Sequence, residues 1–275
     1  LESGSLVFPD LPPVNITGAD TPAFALGYQG HCLWLLGFPD KAMEVCRRAL
    51  ERADSLNHPF TAANVRLGLL STLLSMSPRW GQQEAESMVA ISAEHGFFLQ
   101  EILGKLFRNS ALIDYGGDPK ILTELDDLIH AHKKSGAKLS LPCFLAPLAK
   151  GYGETSDPEQ GLRIIDETLS DIERTSEYLM KAELHRLKGE LLLMQAGANA
   201  AEAERQFRNA IDIARHQQAK SWELRATTSL ARLLAKQNRR GEARTMLAEI
   251  YGWFTEGFDT PDLIEAKSLL DELSG

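Results

Sequence analysis

One spacing limits what this chain can fold into more than any other feature. Ala203, Phe207 and Ala210 follow Gly189, and Ala243, Leu247 and Ile250 follow Ala231, so a small residue is twice succeeded by the same steps of four and three. Residues three and four apart share one face of a helix. Two antiparallel helices approach closely only where small side chains meet, so Gly189 or Ala231 is expected to face Ala203 or Ala243, with the large residue one turn later filling the gap beside them. Gly30 with Ala42, Cys46 and Ala49 matches well. Ala149 with Gly161, Ile165 and Thr168, and Asn109 with Ile121, Leu125 and Leu128, match less well, and Leu73 with Ala85, Val89 and Ser92 least.

These register positions, 30, 73, 109, 149, 189 and 231, are spaced somewhat more widely than the ~34 residues of a tetratricopeptide repeat, so longer helices or turns must absorb the excess. Helix starts are marked by Thr21-Pro22, His58-Pro59, Asp118-Pro119, Asp157-Pro158 and Thr260-Pro261, because proline is favoured at the first helical turn and a preceding polar residue can cap it. Gly96, Gly136 and Gly197 fall where helices should stop. No stretch alternates convincingly over strand length. The expected fold is all-α: a tetratricopeptide-like (TPR-like), right-handed helical-repeat solenoid of about six helix pairs over residues 21–275, capped by a last helix, Pro261 to Leu273. Residues 1–20, with Pro9, Pro12 and Pro13, are expected to be a linker or N-terminal extension.

A net charge of −9 disfavours a general nucleic-acid binder. Cys32, Cys46 and Cys143 are few and far apart, which fits a reducing, cytoplasmic setting. All three are expected in the core. No apolar run is long enough to span a bilayer, and no membrane partner is expected. A first residue that is Leu1 rather than Met suggests a processed chain or an excised piece.

Motifs that carry chemistry are sparse. Gly151-Tyr-Gly153 follows no strand and reads as a helix turn. His130 and His132 point in different directions on a helix and are expected on the surface. Arg205, Arg208, Arg215, Lys220, Arg225, Arg232, Arg239, Arg240 and Arg244 enrich the C-terminal third in positive charge, but among so many glutamates they read as a solvated surface. Trp34, Trp222 and Trp253 read as packing residues and Trp80 as partly exposed. The best binding surface of such an array is the concave face formed by the first helix of each pair. His31, Trp34, Lys150, Arg186, Glu190, Arg225 and Arg232 are expected there, and their mixed charge suits a peptide or protein. No catalytic residue, metal ligand or cofactor site is assigned.

Ala219 to Ala226, Ser229 to Arg232 and Tyr251 to Leu263, with Ala266-Lys267 and Leu269-Leu270, resemble the closing segment of a bacterial family of multidomain predicted ATPases with tetratricopeptide tails, many of them grouped with class III adenylate and guanylate cyclases. The similarity extends through Tyr178 to Glu190 and, more loosely, through Trp34 to Asp40 and Ala93 to Phe97. It covers nearly all the chain beyond the first twenty residues. In that family a cyclase domain and an ATPase domain precede the helical tail. No G-x-x-x-x-G-K-[ST] loop and no acidic pair in a strand context occur here. The resemblance therefore implies a non-catalytic regulatory or protein-binding role, with the parent's own ATPase and cyclase domains among the possible partners. The alternative is a free-standing helical-repeat receptor or adaptor for a peptide or small ligand.

Overall fold

The computed structural model describes residues 18–113, 118–134, 136, 140–197 and 199–274. Among these the chain is built from thirteen α-helices and one short 3-10 turn. The helices are α1 (Thr21–Leu35), α2 (Pro39–Ser55), α3 (Pro59–Met76), α4 (Pro78–His95), α5 (Phe98–Ile113), α6 (Pro119–Lys134) and α7 (Leu141–Glu154). They continue with α8 (Pro158–Thr175), α9 (Lys181–Met194), α10 (Ala200–His216), α11 (Lys220–Lys236), α12 (Arg240–Tyr251) and α13 (Pro261–Ser274). Six sequential pairs and a final helix result.

The helix starts follow from their caps. Asp157 Oδ1 accepts from Gln160 N at 3.0 Å, Asp118 Oδ1 from Lys120 N at 2.9 Å and His58 Nδ1 from Thr61 N at 3.3 Å, each occupying an amide that the first turn leaves unpaired. Gly96 ends α4 at φ 71°, where a side chain would be strained. At the first helix the cap is Asp20, one residue earlier than the Thr21-Pro22 pair suggests. Its Oδ1 accepts from Ala23 N at 2.8 Å, and the same carboxylate takes Arg52 in two bonds of 2.7 and 3.0 Å. Asp20 is buried; residues 1–17 of the expected linker or extension lie outside the described residues. Gly151 and Gly153, expected at a turn, lie within α7.

The small-residue spacing does its work where the helices cross. A Cβ on Gly30 would come within 2.8 Å of Cys46 Sγ, and one on Gly161 within 2.6 Å of the Ala149 carbonyl. Gly189 lies beneath the Phe207 ring, so its partner is the large residue of the motif as much as Ala203. In α6 the buried stripe is Leu122, Leu125, Ile129 and His132, turned by about one position from the expected Ile121, Leu125 and Leu128. His132 is consequently buried against Phe144 and is not a surface residue; His130 is exposed and pairs with Asp126. Cys46 is core, as its stripe implies, but Cys32 is exposed and Cys143 half-buried.

Each helix packs on its sequence neighbour, and each odd-numbered helix also packs on the next odd-numbered one. The odd helices thus form an inner layer and the even helices an outer one. The sequences reflect this: α2, α8 and α10 bury single stripes, whereas α11 buries nearly every residue from Ser221 to Leu234. α1 additionally packs on α11, bringing the first pair against the last.

Phe207 is fully buried between α9 and α10. Phe207→Ala is expected to lower unfolding stability by about 3–5 kcal/mol, read from chemical denaturation, with helical content at zero denaturant retained.

Candidate functional site

The inner layer brings polar side chains of α9, α11 and α13 into one network, joined by a backbone carbonyl of α3. On α9, Glu183, Arg186 and Glu190 recur at three and four residues and so share a face; on α11, Trp222, Arg225, Ser229 and Arg232 do the same. Arg186 grips Glu183 with two parallel bonds, Nε to Oε2 at 2.8 Å and Nη2 to Oε1 at 2.7 Å. Ser229 donates to Glu190 Oε1 at 2.6 Å. Arg225 donates from Nε to Asp262 of α13 at 2.8 Å and from Nη2 to the Ser75 carbonyl of α3 at 3.3 Å. Its guanidinium lies over the rings of both Trp34 and Trp222, 5.3 and 5.1 Å from their centroids.

The protonation states follow from this geometry. Burial disfavours the Glu183 carboxylate, but the Arg186 guanidinium, then Arg225, outweigh it and hold its pKa below the usual value. Asp262 goes the other way: burial raises its pKa and Arg225 only partly offsets that. Both arginines lose by burial and gain more from the carboxylates, so they stay charged. On α1, burial lowers the His31 pKa to about 4, so the ring is neutral at pH 7, with Nδ1 3.1 Å from Thr72 Oγ1.

Of the residues expected on the inner face, Trp34, Arg186, Glu190 and Arg225 meet in this network. His31 lies beside it, 5.7 Å from Trp34 between ring centroids, and Lys150 is close enough to favour the Glu183 charge. Arg232 is held instead by Glu265 of α13. Trp34 is buried, edge-on to Trp222 at 4.8 Å. Glu183, Trp222, Ser229 and Asp262 were not anticipated as inner-face residues. Glu183 and Ser229 carry a signal, being three residues before Arg186 and four after Arg225, but Asp262 is 37 positions from its partner and only the fold unites them.

Elsewhere the charges neutralise one another. Glu204 and Glu242 bridge Arg208 and Arg239 across α10 and α12, Glu202 holds Arg205, and Glu223 holds Arg215 and Lys220. Most of the basic enrichment of this region is thus a paired helix surface. Trp80 is half-buried, with Nε1 donating to Glu84, while Trp253 is 40% exposed. On the outer side a cavity of about 180 Å³ opens between α6 and α8, floored by Leu145 and Leu148 of α7 and edged by Asp126, Glu167 and Asp171. Nothing in the sequence marked it.

Among the described residues no group of three or more His, Cys, Asp or Glu side chains is placed to hold a metal ion, and no helix is long and apolar enough to cross a membrane.

The two carboxylates should respond oppositely to pH. Glu183, with a lowered pKa, stabilises the fold at neutral pH, and that contribution is lost as pH falls through its folded pKa. Asp262, with a raised pKa, is costly to ionise, and protonating it as pH falls relieves the cost. At pH 7, Glu183→Gln is expected to cost about 3 kcal/mol, and Asp262→Asn much less. Denaturation midpoints of both variants and of the starting protein at pH 7 and pH 3 check this, the Glu183→Gln deficit shrinking at the lower pH, below the ordinary glutamate range. No protein-family model matches the chain, and no match is found among curated proteins.

Proposed function

We propose that this chain is a non-catalytic interaction module, a TPR-like right-handed solenoid that receives a protein or peptide on its inner face. We further propose that it is the C-terminal part of a signalling ATPase or adenylate–guanylate cyclase, where it couples partner binding to the catalytic domains. The observation that carries the reading is the convergence of side chains of both signs on one layer of helices: Lys150, Glu154, Arg186, Glu190, Arg225, Arg232 and Asp262 all retain part of their surface. Such a face offers donors and acceptors in alternation, as an extended peptide does, and lacks the single-sign field that would select a polyanion. The parentage rests on the resemblance of Ala219 to Ala226, Ser229 to Arg232 and Tyr251 to Leu263, with Ala266-Lys267 and Leu269-Leu270.

The test is the mass of the native polypeptide in its source cell, detected with an antibody against this chain. A band several times larger than 30.4 kDa is expected. A band at 30.4 kDa removes the parent enzyme from the proposal. With the larger protein in hand, deleting residues 21–275 should change its nucleotide turnover; unchanged turnover argues against coupling.

A further inference from the structure

Four hydrophobic clusters hold the molecule together, and three of them follow the chain. One joins α1, α2 and α3, a second runs from α3 to α9, and a third from α9 to α13. The fourth is different. It gathers Trp34, Ala42 and Met76 from the beginning with Ala182, Ala214, Ala219 and Trp222 from the end.

Around that cluster the two ends share a set of polar contacts. Ser221 Oγ donates to the Trp34 carbonyl at 2.5 Å, across 187 positions of sequence. Lys41 N donates to Glu256 Oε1 at 3.1 Å, and Gly257 N to Asp40 Oδ2 at the same distance. Gly37, at φ 86°, lets the Trp253 ring settle on the backbone, since a Cβ there would come within 2.5 Å of it.

Every backbone group in these bonds can be served by water without loss of a helix. The Trp34 carbonyl keeps its bond from Gly37 N, Lys41 N belongs to the first turn of α2, which has no intrahelical partner, and Gly257 N lies in a loop. Parting the ends therefore breaks no secondary structure and leaves the three chain-following clusters intact.

We infer that the contact between α1–α2 and α11, with the 253–257 loop, is a releasable clasp: it closes the array on itself in this structure and opens without unfolding the helices. Opening frees Trp34, Trp222 and the Arg225 guanidinium between them. The clasp stands independently of what the inner face binds.

The test is a distance measurement across the clasp by pulsed electron spin resonance. Spin labels are placed on Glu44→Cys and Glu249→Cys, both exposed, in a Cys32→Ser background. Cys46 is fully buried and takes no label, and the half-buried Cys143 is replaced by serine as well. The starting protein should give one narrow distance. In the triple variant Asp40→Ala, Ser221→Ala, Glu256→Ala each lost hydrogen bond shifts the open-to-closed ratio by about five-fold, roughly a hundred-fold together. A second, longer distance is expected at unchanged far-ultraviolet circular dichroism. A distribution that stays narrow overturns the inference, and so does a longer distance that appears only with loss of helical signal, because the ends would then be part of one indivisible core.

Discussion

Close approach of helix backbones at small residues is the constraint on which this structure depends. Gly30 against Cys46, Gly161 against the Ala149 carbonyl and Gly189 beneath Phe207 leave no room for a further carbon. Because each first helix can lie this near its partner, the pair buries a stripe on both members and presents the remaining faces to the next pair. Repetition then sorts the helices into two layers. Among the inner helices α11 is covered on nearly all sides and carries Leu, Ala, Ser and Thr all round, while an outer helix such as α10 needs only a stripe.

Placing charge in the inner layer has a consequence for stability. Glu183, Arg186, Arg225 and Asp262 are largely removed from water, and a buried ion pair seldom outperforms well-packed apolar residues of the same volume. What such groups do supply is direction: a guanidinium that bonds to Asp262, the Ser75 carbonyl and two indole faces has one favourable position. The network thereby sets the orientation of α9, α11 and α13 around the start of the chain. The opposite pKa shifts of Glu183 and Asp262 express the same geometry, one carboxylate gripped by a parallel fork and the other by a single bond.

Local signals in the sequence proved reliable where the physics is local. Asp118, Asp157 and His58 cap their helices because a cap involves only the next few amides, and Gly96 stops α4 because a positive φ is a property of one residue. The α6 stripe was displaced by about one position because Ile121, Leu122, Leu125, Leu128 and Ile129 offer two overlapping apolar faces, and contact with α7 selects between them; that selection also buries His132. Cys32 looks apolar in sequence yet remains exposed, and Trp253 keeps 40% of its surface exposed although one side of its ring lies against Gly37. Only the fold brings Arg52, a whole helix away in sequence, onto the Asp20 carboxylate.

The amino-acid sequence by itself determined that the chain is helical, where several of the helices begin or end, how many pairs there are, and that Trp34, Arg186, Glu190 and Arg225 belong to the first helices of their pairs. Periodicity and capping act within a few residues, so they can be read along the chain. Only the tertiary structure decided that the first pair would reach the last, that Trp34 would meet Trp222 and that Asp262 would receive Arg225. Those contacts depend on how every intervening helix packs on the next, and no single motif encodes that arrangement, because each motif acts only between neighbouring helices.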